Sequence, residues 1–330
     1  MREEDLRTLP KVILTFDVEG LPPKEDYFDN ISAMYVTEIL DLLEEKTFKG
    51  IFFFTGIVAK RIRKYPDIVK RLSSHEIGYH SSSHGRPTIP EYTDIDSYEK
   101  AIDISLNRET SRIDSETGQI LGKGGMLALK ETFPRNEIRC FRAPFLAWSP
   151  PHLEALRRLN VKFDFSSDIF DYPTSFRGIT FFPYPIPIDG VVRTIVHKPP
   201  GGLFLKTITG TILQREVTVL LMHPSNLCVK NLFSGSNETK IAGKIRIKFV
   251  ISFLRLMLNR LRFLQSVNLI DVVSLPNTNW GAPHLKTHDI ERIYHTSVRE
   301  VKNIFSYNPR FIFSHFKHFF DKNNSAILAR

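Results

Sequence analysis

The sequence predicts an α/β fold built from successive parallel β/α units and closed as a barrel. Short apolar runs alternate with stretches whose apolar residues recur at helical spacing. About seven such units follow one another, which favours a barrel over an open sheet. The chain is also long enough for one, with 330 residues of which 42% are hydrophobic, and such a barrel runs to roughly 250 residues as one unit.

The elements follow in order. "KVILTF" (11–16) reads as a strand and "SAMYVTEILDLLEEK" (32–46) as an amphipathic helix. "GIFFFTG" (50–56) is a buried strand, and "AKRIRKYPDIVKRLSSH" is helical, carrying Pro66 at its middle or at a break. "EIGYH" (76–80) is the third strand. A charged region (91–136) has a helix around Ser97 to Glu109 and a turn at "GKGG". "IRCFRAP" (138–144) is again a strand. The helix "SPPHLEALRRL" follows, with Ser149 as its N-cap and Pro150 in its first position. "VKFDFSS" (161–167) and "TVLLMHP" (218–224) are strands. Between them "PYPIPIDGVVRTIVH" has the pattern of a hairpin turning at Asp189–Gly190. A basic helix near 244–266 leads into a last strand, "LIDVVSL" (269–275).

Beyond Pro276 the composition changes. Residues 277–330 are rich in Phe, Lys, Arg and His and form a C-terminal helical extension to a first domain at 1–276. Basic plus aromatic suits an interfacial membrane contact; packing of the Phe residues on the barrel suits it as well.

Net charge is +9, unevenly placed: from Thr239 to Ile270 there is no acid, against Lys240, Lys244, Arg246, Lys248, Arg255, Arg260 and Arg262. Such a face suits phosphate or an anionic membrane surface, or is simply solvated. No recognisable nucleic-acid module accompanies it, so nucleic acid is not expected as a partner. Cys140 and Cys228 are too few for a disulfide framework and lack zinc-ligand spacing, so both are expected as reduced thiols. The N-terminus "MREEDLRTLPKV" has no apolar core of a signal peptide. No run reaches the ~18 apolar residues of a spanning helix. The expected location is cytoplasmic, with peripheral membrane contact through 240–262 or the tail.

Reactive groups of β/α barrels sit at the C-terminal ends of strands. Those ends carry Asp17 and Glu19 after the first strand, His80 after the third, Arg142 after the strand at 138, and His223 after the strand at 218. An isolated D-x-E is usually a solvated loop, and a lone His before Pro224 is usually a core residue. Their collection at equivalent ends is what makes them a candidate site. His84 lies four residues past His80 in "HSSSH", a spacing that puts both imidazoles on one side of a helical turn.

Two imidazoles and one carboxylate make an open zinc-type ligand set. Either Asp17 or Glu19 can complete it, leaving the other beside the water as a general base. A divalent metal in such a set brings the pKa of water to about 7. The free carboxylate then takes a proton, and backbone N–H groups hold the oxyanion. An amine leaving group needs a general acid, for which His223 is the right kind of residue. Arg142 is suited to orient the catalytic carboxylate and hold it ionised.

"TFDVEG", "HSSSH", "FRAP" and "LLMHP" resemble, in order and spacing, the motifs of the polysaccharide deacetylases (NodB-homology, carbohydrate esterase family 4-like). The resemblance covers about residues 10–275. It implies a distorted (β/α) barrel of seven strands whose members remove N- or O-acyl groups from sugars with a divalent metal. Residue by residue it implies Asp17 as base, Glu19, His80 and His84 as metal ligands, Arg142 beside the base, and His223 as acid. Zinc is the default metal, and other first-row ions suit the same donors.

Two departures stand out. The family's first motif has adjacent acids, whereas Val18 intervenes here; residues i and i+2 of a strand share a face, so both acids can still point inward. The family's Asp-Trp signature, which tunes the acid histidine, has no Trp in "FDFSSD" (163–168), leaving Asp164 or Asp168 as candidates. The expected activity is removal of an acetyl or formyl group from an amino sugar of a glycan, or of a lipid- or nucleotide-linked sugar intermediate. The alternatives are hydrolysis of another non-peptide C–N bond, in a cyclic amide or ureide, and a non-catalytic carbohydrate-binding barrel.

Overall fold

A computed structural model describes residues 11–19, 30–81, 125–144, 150–166, 173–176, 178–183, 185–188, 217–224, 248, 251–259 and 268–269. The helix expected at 97–109, the turn beyond Asp189, the Ser149 cap and the whole of 277–330 lie outside these.

Strand β1 (Lys11–Val18) is central. It pairs in parallel with β2 (Ile51–Phe54) on one side and with β9 (Val217–Met222) on the other. From β2 the sheet continues through β3 (Glu76–Tyr79), β4 (Cys140–Phe141) and β5 (Phe163–Asp164) to β7 (Ile179–Phe181), all parallel. β6 (Thr174–Phe176) folds back antiparallel on β7, and β8 (Ile186–Pro187) lies parallel on the far side of β9. β10 (Asn268–Leu269) pairs with Lys11 and Val12, the stretch of β1 that β2 leaves open.

The described sheet has ten strands in place of the expected seven. The extra ones are short pieces that periodicity does not register. The β6–β7 hairpin is one the sequence reading missed, although Gly178, at φ +80°, marks its turn. Within the stretch 183–197, expected as a hairpin, Ile186–Pro187 forms a parallel strand on β9, while the turn and the second arm lie outside the described residues.

The helices pack on the outer face. α1 (Asn30–Glu45) follows β1. The pattern across Pro66 resolves into two helices, α2 (Gly56–Ile62) and α3 (Pro66–Leu72). Pro66 takes the first turn of the second, where its missing N–H costs nothing. Thr55 caps α2, accepting from the Val58 N–H at 3.2 Å. α4 (Gly125–Thr132) and α5 (Pro150–Arg158) precede β4 and β5.

Alternation along β1 divides the core. Val12, Leu14, Phe16 and Val18 join Phe52 and Phe54 in the layer under the helices. Ile13 faces the other way, into a cluster with Ile51, Phe53, Cys140, Phe165, Phe182, Val217 and Val219. In that cluster the rings of Phe53 and Phe165 lie 5.6 Å apart, centroid to centroid. Their strands are three places apart in the sheet, which if flat would separate them by about 14 Å. The sheet is therefore curled around this inner cluster.

Gly78 of β3 stands opposite Phe53 in the register, and the Phe53 ring lies against it where a Cβ would be. Replacing Gly78 with Ala is expected to push that ring aside and destabilise the protein by about 1–3 kcal/mol, the usual range for overpacking. Chemical denaturation checks it; a midpoint equal to wild type would mean the ring yields freely.

Cys140 is a free thiol in the same interior. Its burial pushes the thiol pKa well above the ordinary range. It is an inert core residue. Cys228 lies outside the described residues.

The candidate active site

Because β1, β3, β4 and β9 run parallel, their C-terminal ends share one rim. The curl brings the side chains on that rim within reach of one another. Asp17 is on the inner face of β1, 2% exposed, and Arg142 directly after β4 is 0% exposed. Arg142 Nη1 donates to Asp17 Oδ1 at 2.6 Å. Its Nη2 donates to Thr15 Oγ1 at 3.0 Å, and its Nε to the Phe165 carbonyl at 3.3 Å. The guanidinium carbon sits 4.5 Å over the Phe53 ring. Thr15 in turn donates to the Leu220 carbonyl at 2.8 Å, tying this arrangement to β9. A buried charge held on several sides in this way keeps its direction.

His80 continues the ladder beyond β3, its N–H donating to the Phe54 carbonyl at 2.8 Å. Its Nδ1 lies 2.7 Å from the Arg142 carbonyl oxygen. A carbonyl only accepts, so Nδ1 carries the hydrogen. Nε2 therefore turns towards the acids, 3.1 Å from Glu19 Oε1 and 4.0 Å from Asp17 Oδ2. His223, after β9, places its Nε2 3.6 Å from Glu19 Oε1 and 3.7 Å from Asp17 Oδ2.

Two carboxylates and two imidazoles thus converge. Asp17, Glu19 and His223 each offer one donor atom, all within 4.8 Å of one another. The donor chemistry fits a divalent cation. With Nδ1 anchored to a carbonyl, a neutral His80 presents its Nε2 lone pair to a carboxylate, and such a pair requires positive charge between or on its members.

Of the residues singled out from sequence, five meet on this rim: Asp17, Glu19, His80, Arg142 and His223. Val18 points outward between the two acids, so the D-x-E spacing delivers both to the same place. His84 and Asp168 lie outside the described residues. The helical-turn argument for His80 and His84 does not hold at its first step. His80 is bonded as an extension of the sheet and Ser81 is left-handed, at φ +66°, so no helical turn begins there.

The Asp164 carboxylate accepts from the Ser166 N–H and the Ser166 hydroxyl, each at 3.0 Å. Thr15, Phe53 and Ser166 were missed from sequence. Thr15 had a signal, two residues before Asp17 on the same face.

The basic stretch is partly accounted for. Helix 251–259 buries Ile251, Leu254, Met257 and Leu258 in the core, and Arg255 is paired with Glu45 of α1 at 2.8 Å. Among the described residues no helix is long and apolar enough to cross a membrane.

The curled, largely parallel sheet, with acids, imidazoles and a buried guanidinium on its rim, is that of a distorted β/α barrel. Residues 8–163, just under half of the chain, match the family model described as polysaccharide deacetylase. No curated protein matches in sequence. Among solved structures the chain is similar to a mutant of a CE4 family pseudoenzyme, at 14% identity over 82% of this chain and 68% of that one, with a TM-score of 0.43. A peptidoglycan N-acetylglucosamine deacetylase is similar at 16% identity over 84% and 92%, TM-score 0.43. The CE4 domain of a multidomain xylanase from the hindgut metagenome of Trinervitermes trinervoides is similar at 16% identity over 84% and 96%, TM-score 0.44.

Proposed function

We propose that the protein is a metal-dependent deacetylase that removes an N-acyl group, acetyl or formyl, from an amino sugar of a glycan or glycolipid intermediate. The observation that carries this reading is the meeting of Asp17, Glu19, His80 and His223 on one rim, with Arg142 buried against one of the two acids.

Glu19 and His80 are the described residues that would hold the cation, with His84 as the third ligand. The alternative donor set of Asp17, Glu19 and His223 fits less well. One Asp17 oxygen is committed to Arg142, whereas the carbonyl anchor on His80 is the usual outer partner of a metal-binding imidazole. When bound, the cation supplies Lewis acidity to the amide carbonyl and lowers the pKa of water.

The protein's own groups do the rest. Asp17, aimed by Arg142, takes the proton of the attacking water. His223, partly exposed on the neighbouring strand, gives a proton to the departing sugar amine. Its Nε2 lies 3.7 Å from Asp17 Oδ2, which supports a role for both groups at one reacting centre.

The test is to strip the protein with a chelator, restore Zn²⁺, and follow amine release from N-acetyl and N-formyl amino-sugar glycans. About one equivalent of zinc per chain and zinc-dependent release are expected, with His80→Ala losing both. A zinc-loaded protein that releases no amine from any of them would leave a carbohydrate-binding barrel. Release from cyclic ureides instead would move the activity to another C–N bond.

A further inference from the structure

The Asp164–Ser166 pair lies at the end of β5, two places along the sheet from β3, and it is wired to His80. The Ala143 N–H donates to Ser166 Oγ at 2.7 Å, and the Ser166 hydroxyl donates to Asp164 Oδ2 at 3.0 Å. The Ser166 backbone N–H closes the pair by donating to Asp164 Oδ1 at 3.0 Å. All three groups are buried: Asp164 is 0% exposed, Ser166 and Ala143 1% each.

The Ala143 N–H and the Arg142 carbonyl belong to one peptide unit. A trans peptide is a rigid plane whose C=O and N–H point in opposite directions. Fixing the N–H on Ser166 therefore fixes the direction of the carbonyl at the other edge. That carbonyl is the group 2.7 Å from His80 Nδ1. Rotation of the plane would cost the Ser166 bond and the His80 bond together.

We propose that Ser166, held by Asp164, is a positioning residue for His80, acting through the Arg142–Ala143 peptide plane. This fixes which ring nitrogen carries the hydrogen and aims Nε2 at Glu19, the other described residue that would hold a cation. The inference rests on the metal-site reading above. It also gives Asp164 a different task from tuning His223.

The experiment compares Co²⁺ and Zn²⁺ affinity of the full chain by calorimetry in wild type, Ser166→Ala and Ser166→Thr. Histidine ¹⁵N NMR of the zinc-loaded proteins reads the ring hydrogen of His80. Ser166→Ala is expected to bind about 10- to 100-fold more weakly, the usual cost of losing an outer partner of a ligand. It is also expected to lose the defined Nδ1–H signal. Ser166→Thr keeps the hydroxyl and is expected to stay near wild type in both.

Thr132→Val serves as the control for mere destabilisation. It removes another buried hydroxyl, on α4, that bonds the Ala59 and Ala128 carbonyls and accepts from Arg63 Nε, and it should leave metal affinity unchanged. If Ser166→Ala does not fold, Asp164→Asn removes the anion that aims the hydroxyl and is expected to weaken binding in the same direction. Wild-type affinity and an intact Nδ1–H signal in the serine variant, or in Asp164→Asn where that stands in, would overturn the inference while the metal site stood. Wild type that binds neither metal would overturn the metal-site reading itself, and this inference with it.

Discussion

Asp17→Asn is expected to lower kcat/KM on an N-acyl amino sugar by about 10²–10⁴-fold, the range for loss of a general base. Asn matches Asp in shape, and its carbonyl oxygen can still accept from Arg142 Nη1, which stands 2.6 Å from Oδ1 in the wild type. What it lacks is a lone pair basic enough to take a proton. Metal content separates the two acids. Because Glu19 Oε1 faces His80 Nε2 at 3.1 Å, the Asp17 variant should keep its zinc while Glu19→Gln should lose it. An Asp17 variant that loses its zinc, beside a Glu19 variant that keeps it, would exchange the roles of the two carboxylates. Activity near wild type in the zinc-loaded Asp17 variant would remove the base assignment outright.

Arg142→Met should cost about 3–5 kcal/mol of stability, the range for removing one partner of a buried ion pair. The reason lies in what is left behind. Asp17 is 2% exposed, and without the guanidinium its carboxylate loses the charged partner at 2.6 Å and keeps only the imidazole nitrogens of His223 and His80 at 3.7 and 4.0 Å. Thr15 loses the donor at 3.0 Å and the Phe165 carbonyl the one at 3.3 Å. Met fills much of the aliphatic volume, so the loss reports charge and hydrogen bonding more than a cavity. Denaturant midpoints of the single variant and of Arg142→Met/Asp17→Asn measure this. The double variant should recover part of the loss, because it removes the stranded charge. A single variant within about 1 kcal/mol of wild type, or a double variant that recovers nothing, would mean that the pair is not what holds this corner together.

These expectations depend on parts of the site that differ in how visible they were beforehand. The order of strands and helices was legible because burial imposes a period: 2 along β1, with Val12, Leu14 and Phe16 facing one way and Ile13 the other, and about 3.6 along α1. The reactive positions were legible because parallel strands place their ends on one rim. A strand that ends in an acid, an imidazole or a guanidinium therefore announces itself locally. The misreadings were local too. HSSSH satisfies a helical spacing on paper, but the sheet ladder claims His80 and the left-handed Ser81 breaks the turn. Strands of two or three residues, such as β8 and β6, are too short for a period to emerge.

The alternation of parallel units and the residue types on their ends can be read from the chain alone, since both follow from patterns within a few residues. Which acid Arg142 takes, the seat of Phe53 on Gly78 beneath it, and the joining of Ser166 to His80 by the Arg142–Ala143 peptide all depend on contacts between distant parts of the chain. Asp17 and Arg142 are 125 residues apart in the chain. They meet because the sheet curls, and the curl is set by the sum of many side chains packed inside it, which no short stretch of sequence contains.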